Sequence, residues 1–316
     1  MTVTAVPDAE SRLVDLLTWL DGQDYDFVPP APFSHANRLT QPNLPPPESL
    51  PEIMGWSRAF DPDRADPELV ALLRAAAALE ETAGRARSRL RAARLHGRLF
   101  LHSAYPTYAG DSVFLGPDSY RFANFIAGAR GRGPLDGVHV DIGTGAGVAA
   151  ILTALALPDA EVFAVDPNPA ALRLARANAR HNGVAVTFIE GRGLDGVPDR
   201  ISAAMSNPPF MIDPEGRLYR DGGGHHGLDL ALALVAEAVP RLDEDGQFLL
   251  FTGTPIRAGH DALPGALARA APGCRIDVRQ IDPDVYGEEL ATPAYAGVDR
   301  IALAGAVISP SAERGE

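Results

Sequence analysis

The chain is poor in the residues that mark several common protein classes. Its 316 residues include one cysteine, Cys274. A single thiol forms no internal disulfide and supports no thiolate metal cluster. No apolar run approaches the roughly 18 residues that a membrane-crossing helix needs. The opening MTVTAVPDAESRL has no basic stretch leading into an apolar core, so no secretion signal is expected and the chain reads as cytoplasmic. Basic side chains are outnumbered, 28 against 41 acidic ones, for a formal net charge of -13. That balance disfavours tight non-specific binding to nucleic acid, whose affinity comes largely from neutralising phosphates, although a local basic patch can suffice. No internal repeat is apparent. What is left, 46% hydrophobic and 22% charged, is ordinary globular composition.

The first third has one texture. Leu13, Leu16, Leu17 and Leu20 are spaced as on one helix face and predict a short amphipathic helix over 9–21. Residues 28–52 are proline-rich and read as an extended connection, which Phe33 and Leu44 can pin to a surface. Asp66-Pro67 is a helix start, a capping side chain followed by proline in the first turn. The alanine, leucine and arginine after it predict a helix to about Leu95. Its second half carries Arg85, Arg87, Arg89, Arg91 and Arg94. These read as a basic strip for RNA or, as charge runs more often do, as a solvated face balanced by Glu80 and Glu81.

From about residue 99 apolar strand-like runs alternate with helical segments. Strands are expected at 139–142, 161–166, 186–190, 201–206, 247–253, 275–281 and 300–308, and helices at 146–157, 168–181, 228–241 and 259–271. Such alternation implies a parallel sheet with helices on both faces. The last two strands have no helix between them and can pair antiparallel. The expected fold is therefore α/β: a Rossmann-like, seven-stranded, mostly parallel sheet with an antiparallel last strand. A mainly helical, proline-rich segment, 1–98, precedes the domain 99–316.

DIGTGAG (141–147) follows the first of those strands and opens a helix. Its glycines permit a tight turn and close approach of a ligand to bare backbone. A dinucleotide loop would read G-x-G-x-x-G. Here the order is Gly143, Thr144, Gly145, Ala146, Gly147, with Asp141 in front. A carboxylate at the strand end repels a pyrophosphate and attracts an ammonium group. Asp166 ends the next strand, where an acidic side chain can take both ribose hydroxyls. An adenosine carrying a zwitterionic amino acid fits these two carboxylates better than NAD, and S-adenosylmethionine is such a ligand. The other reading is a Rossmann-like turn that binds nothing.

MSNPPF (205–210) ends a short buried strand in an amide, two rigid rings and an aromatic. Two prolines cannot continue a helix or donate to a central ladder. VDIGTGAG, VFAVDPNP and SNPPF, in that order, resemble class I methyltransferases of the small-domain group. That group includes the release-factor glutamine and the ribosomal RNA guanine-N2 methyltransferases. The resemblance covers about residues 99 to 308 and leaves the N-terminal third unmatched.

The resemblance implies a set of site residues. Asn207 and the Pro208 carbonyl would accept hydrogen bonds from an amine or amide N–H, and Phe210 would stack on the planar group, making these three the catalytic set. Asp141, Gly143, Thr144, Gly145, Gly147, Asp166, Pro167 and Asn207 would hold S-adenosylmethionine. After the third strand many relatives place a carboxylate for the adenine. This chain reads EGRG there, so Gly191, Arg192 and the backbone to Leu194 are the expected contacts. In FLGPDSYRF (114–122), Pro117, Asp118 and Tyr120 would line the site, unless Asp118 is an ordinary helix cap. In YRDGGGHHGLDL (219–230) three glycines suggest a mobile loop closing over substrate. His225 or His226 could take the released proton there, or stand idle. Two adjacent histidines with no third ligand define no metal site. The 282–300 connection, with Tyr286, Glu288, Glu289 and Tyr295, would shape the acceptor pocket for an amine or cation, or be a solvated loop.

The leading expectation is methyl transfer to a nitrogen of a small molecule or protein side chain. One alternative places the acceptor in an RNA base. A second consumes S-adenosylmethionine without methylating, by cyclisation to azetidine-2-carboxylate or aminocarboxypropyl transfer, with release of methylthioadenosine. A third is a binding module with a vestigial cofactor site, which Asn207 and the intact glycine loop oppose. The N-terminal third is expected to act as a lid or acceptor-selecting cap, whose removal weakens acceptor recognition more than cofactor binding.

Overall fold

The structure is a computed structural model that describes residues 8–129 and 133–311. Helix α1 (Ala9–Gly22) forms where the leucine spacing places it. The Asp8 side chain caps it by accepting the Ser11 N–H at 2.7 Å, and all four leucines are buried. The proline-rich stretch differs from expectation. It contains α2 (Pro32–Leu39) and α3 (Leu50–Met54), each with proline in its first turn, where the missing N–H costs nothing. Buried Glu52 accepts from both Arg38 and Arg58, the Arg58 bond being 2.8 Å. Two guanidiniums on one carboxylate offset its desolvation and pin the stretch.

Helix α4 (Pro67–Ala75) starts at the expected cap, with Asp66 accepting from the Glu68 and Leu69 N–H groups at 2.8 and 3.3 Å. It does not run to Leu95. Two antiparallel hairpins follow instead, β1 (Leu79–Thr82) with β2 (Arg85–Ser88), and β3 (Leu90–Leu95) with β4 (Arg98–Ser103). Their two-residue turns, Ala83-Gly84 and His96-Gly97, have φ of 52° and 76°, and 48° and 75°. Paired left-handed residues match the twist of the flanking strands. Helix propensity here is overridden by packing, with Ala92, Ala93, Leu99, Phe100 and Leu101 buried along the second hairpin. The arginines consequently line no helix face. Arg87 donates to the Ser57 and Tyr105 carbonyls at 2.9 and 2.7 Å, and Arg94 donates to the Tyr25 carbonyl and to Asp21.

The remaining elements are α5 (Pro117–Ala129), β5 (Gly137–Ile142), α6 (Val148–Ala156), β6 (Ala160–Asp166), α7 (Pro169–His181), β7 (Thr187–Glu190), β8 (Ile201–Ser206), α8 (Gly224–Gly227), α9 (Asp229–Ala238), β9 (Leu242–Arg257), β10 (His260–Asp261), α10 (Leu263–Ala270), β11 (Cys274–Val285) and β12 (Arg300–Pro310). The chain packs as two compact units. One comprises Met1–Tyr120, Gly145–Val148 and Ala170–Ala185, and the other Arg121–Thr144, Ala149–Pro169 and Val186–Glu316. The segment 1–98 thus falls within a unit that also takes in nearly all of α7. There Asn178 accepts the Leu101 N–H at 2.8 Å and donates to the Leu101 and Ala146 carbonyls at 3.1 and 2.8 Å.

The second unit is built on a sheet of order β11-β12-β9-β8-β5-β6-β7, with the short β10 on β9. Strands β5 to β9 run parallel, while β12 is antiparallel to both its neighbours. This is the Rossmann-like sheet expected from the sequence. Side chains alternate between two apolar layers. Ala204, Phe248 and Leu250 share one with Leu234, Val235, Leu263 and Leu267 of α9 and α10. Met205, Leu249 and Phe251 share the other with Phe122, Phe125 and Leu303. Burying one such large side chain is worth about 1.5–3 kcal/mol. No helix among the described residues is long and apolar enough to cross a membrane.

Candidate functional site

In open α/β sheets ligands bind beyond the C-terminal ends of the parallel strands. Four neighbouring strand ends, β8, β5, β6 and β7, carry the candidate residues. After β5 the chain turns sharply, and the Gly143 and Thr144 N–H groups donate to the Val165 carbonyl at 2.8 and 3.1 Å. Gly143 and Gly145 have φ of 73° and 54°, and a Cβ at either would meet nothing within 4 Å. Glycine is needed for the left-handed backbone, and the bare chain faces open space.

Asp141 is 2% exposed. Its Oδ2 accepts from the Thr144 hydroxyl at 2.6 Å and from the Ala150 N–H, in the first turn of α6, at 3.0 Å. The carboxylate therefore shapes the loop and caps the helix after it. Burial pushes its pKa up to about 6, and the charge of Asp166 adds to the rise, against the two hydrogen bonds. Asp166 closes β6, accepts the Asn168 N–H at 2.8 Å and stands beside Glu190 of β7. Pro167 follows it. The Gly191 N–H donates to the Asp166 carbonyl at 3.2 Å, and the Arg192 N–H to Asp195 Oδ2 at 2.9 Å. The Arg192 side chain is exposed, so what this turn offers nearby is backbone.

The Ser206 hydroxyl donates to the Ile142 carbonyl at 2.8 Å and ties the end of β8 to the end of β5. Asn207 comes next. Its Oδ1 is buried and has no hydrogen-bond partner among the described residues. A buried acceptor left so costs about 1–3 kcal/mol. Pro208 is buried, and Phe210 lies in the apolar layer, its ring 6.0 Å from that of Tyr286 and tilted by 58°.

The segment after Phe210 is cross-linked by backbone hydrogen bonds and ion pairs. The Met211 N–H donates to the Arg220 carbonyl at 3.1 Å, and the Gly222 N–H to the Met211 carbonyl at 2.7 Å. Arg217 grips Asp213 with Nε on Oδ2 at 2.8 Å and Nη2 on Oδ1 at 2.5 Å. Arg220 lies 3.6 Å from Asp213 and donates to Glu289 in the turn Gly287–Ala291. The Arg217 bonds hold the Asp213 carboxyl below its usual range. A Cβ at Gly222 would sit 2.2 Å from the Gly227 carbonyl oxygen, and one at Gly227 would sit 2.1 Å from that of Phe210. These glycines are required because backbones touch.

The other acceptor-side candidates divide. Tyr286 holds φ at 56° beside Phe210. Glu288 is exposed in its turn. The Tyr120 hydroxyl donates to the Arg94 carbonyl at 2.8 Å, within the first unit. The His225 side chain lies outside the described residues, and the His226 ring is 6.0 Å from that of buried Tyr295. The Tyr295 hydroxyl accepts the Ile212 N–H at 3.0 Å. Sequence reasoning missed Asn178 and the Asp213–Arg217–Arg220 clamp. The first carries no local signal, whereas the i, i+4 spacing of Asp213 and Arg217 is a legible one. Among the described residues no three His, Cys, Asp or Glu side chains are grouped to hold a metal.

Residues 130–261 match the family model described as methyltransferase small domain. A release factor glutamine methyltransferase from Deinococcus radiodurans is 42% identical over 121 residues, which cover 35% of this chain and 44% of that protein. One from Moorella thermoacetica is 35% identical over 183 residues, covering 52% and 57%. The chain therefore spans about half the length of these curated relatives. Among solved structures it is similar to the T. thermophilus 16S rRNA N2 G1207 methyltransferase in complex with AdoMet and guanosine, at 18% identity and TM-score 0.47, over 80% of this chain and 63% of that one.

Proposed function

Taking the methyltransferase small domain of residues 130–261 as premise, we propose that this chain moves the methyl group of S-adenosylmethionine to a nitrogen of a protein side chain or small molecule. The observation that carries the reading is the buried, unpartnered Oδ1 of Asn207 on a corner stiffened by two prolines. An N–H donor from an acceptor molecule completes it. Asn207 Oδ1 and the Pro208 carbonyl then hold that N–H so that the nitrogen lone pair is aimed, and the fixed corner supplies the orientation in advance. Phe210 and Tyr286 offer aromatic surface for the planar group beside it.

The residues present fit the cofactor. The open backbone at Gly143 and Gly145 leaves room for its amino-acid tail, with Gly147 completing the turn. Asp141 spends Oδ2 on the loop, so Oδ1 is its atom for the ammonium group. Asp166 and Pro167 would meet the ribose, and the backbone at Gly191 and Arg192 the adenine. When bound, the cofactor supplies a methyl group on a sulfonium, ready for in-line displacement by nitrogen.

The acceptor we favour is an amide or amine nitrogen of a protein, in line with the names of the relatives. An RNA base is the weaker reading. Arg87 and Arg94, from the strip that favoured it, are occupied by carbonyls and Asp21 of their own unit.

The test is to incubate the purified chain with S-adenosylmethionine and panels of glutamine-bearing peptides, amines and RNA, and to identify the nucleoside released. S-adenosylhomocysteine is expected. Methylthioadenosine would overturn methyl transfer in favour of aminocarboxypropyl chemistry. Asn207→Ala should lower kcat/KM by about 10²–10³, the range for removing one preorganised polar group, with a far smaller effect on cofactor affinity. Equal losses in both would place Asn207 in cofactor binding only.

A further inference from the structure

Five buried side-chain atoms lack a hydrogen-bond partner among the described residues, and only one of them belongs to Asn207. The other four are Arg91 Nε and Nη2, His102 Nε2 and His35 Nδ1, all in the first unit. Arg91 and His102 face each other as direct partners in the β3–β4 register. Arg91 is 5% exposed, and His102 and His35 are more deeply buried still. A run of ring contacts links Arg91 to His35: the guanidinium lies 5.5 Å from the Phe27 ring, Phe27 5.3 Å from Trp56, and Trp56 5.1 Å from His35.

Burying a guanidinium without a counter-charge costs several kcal/mol, so an incomplete Arg91 needs a reason. Neighbouring arginines show what completion looks like. Arg38 and Arg58 share Glu52, and Arg87 and Arg94 take carbonyls. Around Arg91 the groups that act on its charge are Tyr25, Tyr120 and Tyr105, with Phe27 under the guanidinium at 5.5 Å. Tyr25 and Tyr120 turn their hydroxyl protons to the Ala92 and Arg94 carbonyls, and neither phenol oxygen accepts from Arg91 Nε or Nη2. Burial, with help from Arg91, pushes the His35 pKa down to about 4 and His102 well below its usual value, so both rings are neutral near pH 7. His35 Nε2 is matched with the Trp56 carbonyl at 3.0 Å and so carries the proton, which makes Nδ1 an acceptor.

We propose that Arg91, His102 and His35 form an oxyanion-binding site within the first unit, for a compact ligand bearing a carboxylate or a phosphate-type group. The Arg91 Nε and Nη2 edge presents two parallel donors, the geometry that matches such a group. The spare imidazole nitrogens accept from a hydroxyl or N–H on the same ligand. None of these residues belongs to the methyl-transfer machinery, so either proposal can fail without the other.

The test uses the full chain, titrated with orthophosphate and separately with acetate at constant ionic strength against chloride. Melting temperature and calorimetric Kd are the readouts. A saturable rise in melting temperature with at least one anion is expected. Saturation by orthophosphate alone assigns a phosphate-bearing ligand, and by acetate alone a carboxylate. Arg91→Lys, which keeps the charge and loses the fork, should weaken Kd about tenfold or more. Arg91→Met should melt higher than wild type without anion and show no anion-dependent shift. His102→Gln gives a third reading if Arg91→Met fails to fold, and should also weaken Kd. No difference from chloride with either anion, or a shift that survives unchanged in Arg91→Lys and His102→Gln, would overturn the assignment.

Discussion

Asp141 has two carboxylate oxygens, and the fold already occupies one of them. Its residue type and place were legible, because the glycine loop is a local pattern with the acid immediately in front. Its task within the fold was not, because Ala150 and Thr144 become its partners only once the turn has closed. The buried state has a consequence for pH. With a folded pKa of about 6, raised above the ordinary aspartate value of 3.8, the protonated form is the one the fold favours. The associated stability is fully present below about pH 4 and is lost as pH rises through 6, by about 3 kcal/mol at 1.36 kcal/mol per unit. Cofactor binding runs the other way, since an ammonium group needs the ionised carboxylate. Affinity for S-adenosylmethionine should therefore fall about tenfold per pH unit below 6 and level off above it. Calorimetric titrations between pH 4.5 and 8 check this, and Asp141→Asn should flatten the profile. An affinity indifferent to pH in the wild type would remove Asp141 from the ammonium site.

At the level of elements, the main strands and helices after residue 137 follow their sequence patterns because apolar runs alternate with turn residues, although the helix expected over 259–271 starts only at Leu263, after the two-residue β10. Structure departs from local pattern where two signals compete. Over 79–103, alanine and arginine favour helix while Ala83-Gly84 and His96-Gly97 mark hairpins, and the turns win because the strands bury their apolar side chains. Over 28–52, the prolines that suggest an extended connection sit in part in the first turns of α2 and α3. In 219–230, Gly222 of the three-glycine run and Gly227 beyond it are set against backbone, whereas Gly223 and Gly224 face the Asp229 side chain. Gly227 has φ of 92° and its Cα faces the Phe210 carbonyl, whereas Gly216, at φ 63°, has nothing within 4 Å of a Cβ. Gly216→Ala should cost only the left-handed penalty of about 1–2 kcal/mol. Gly227→Ala should cost about 3 kcal/mol or more and reduce turnover, because the Phe210 corner has to move. Equal stability of the two variants in urea would restore the mobile-loop reading.

For the whole molecule, the sequence suggested a linear division near residue 98, and packing does not respect it. Helix α7 begins three residues after Asp166, yet nearly all of it belongs with the N-terminal unit. Asn182 donates to the Leu99 carbonyl at 3.2 Å, and Arg176 and Arg180 lie 3.7 and 3.6 Å from Glu10 and Asp8. Asn178 joins Leu101 of β4 to Ala146 inside the glycine loop. Nothing local in the sequence reveals these links, which span 77 residues in the case of Asn178 and Leu101. They alter what truncation should do. A chain starting at residue 99 has β4 without β3 and α7 without α1, so the bonds that fix the glycine loop through Ala146 lose their support. Cofactor affinity should drop more than a hundredfold, and the cooperative melting transition should be lost, rather than acceptor recognition alone being weakened. Calorimetry with S-adenosylmethionine and thermal unfolding of the 99–316 fragment decide the matter. A fragment that melts cooperatively and binds the nucleoside within tenfold of the full chain would show that cofactor binding does not depend on residues 1–98.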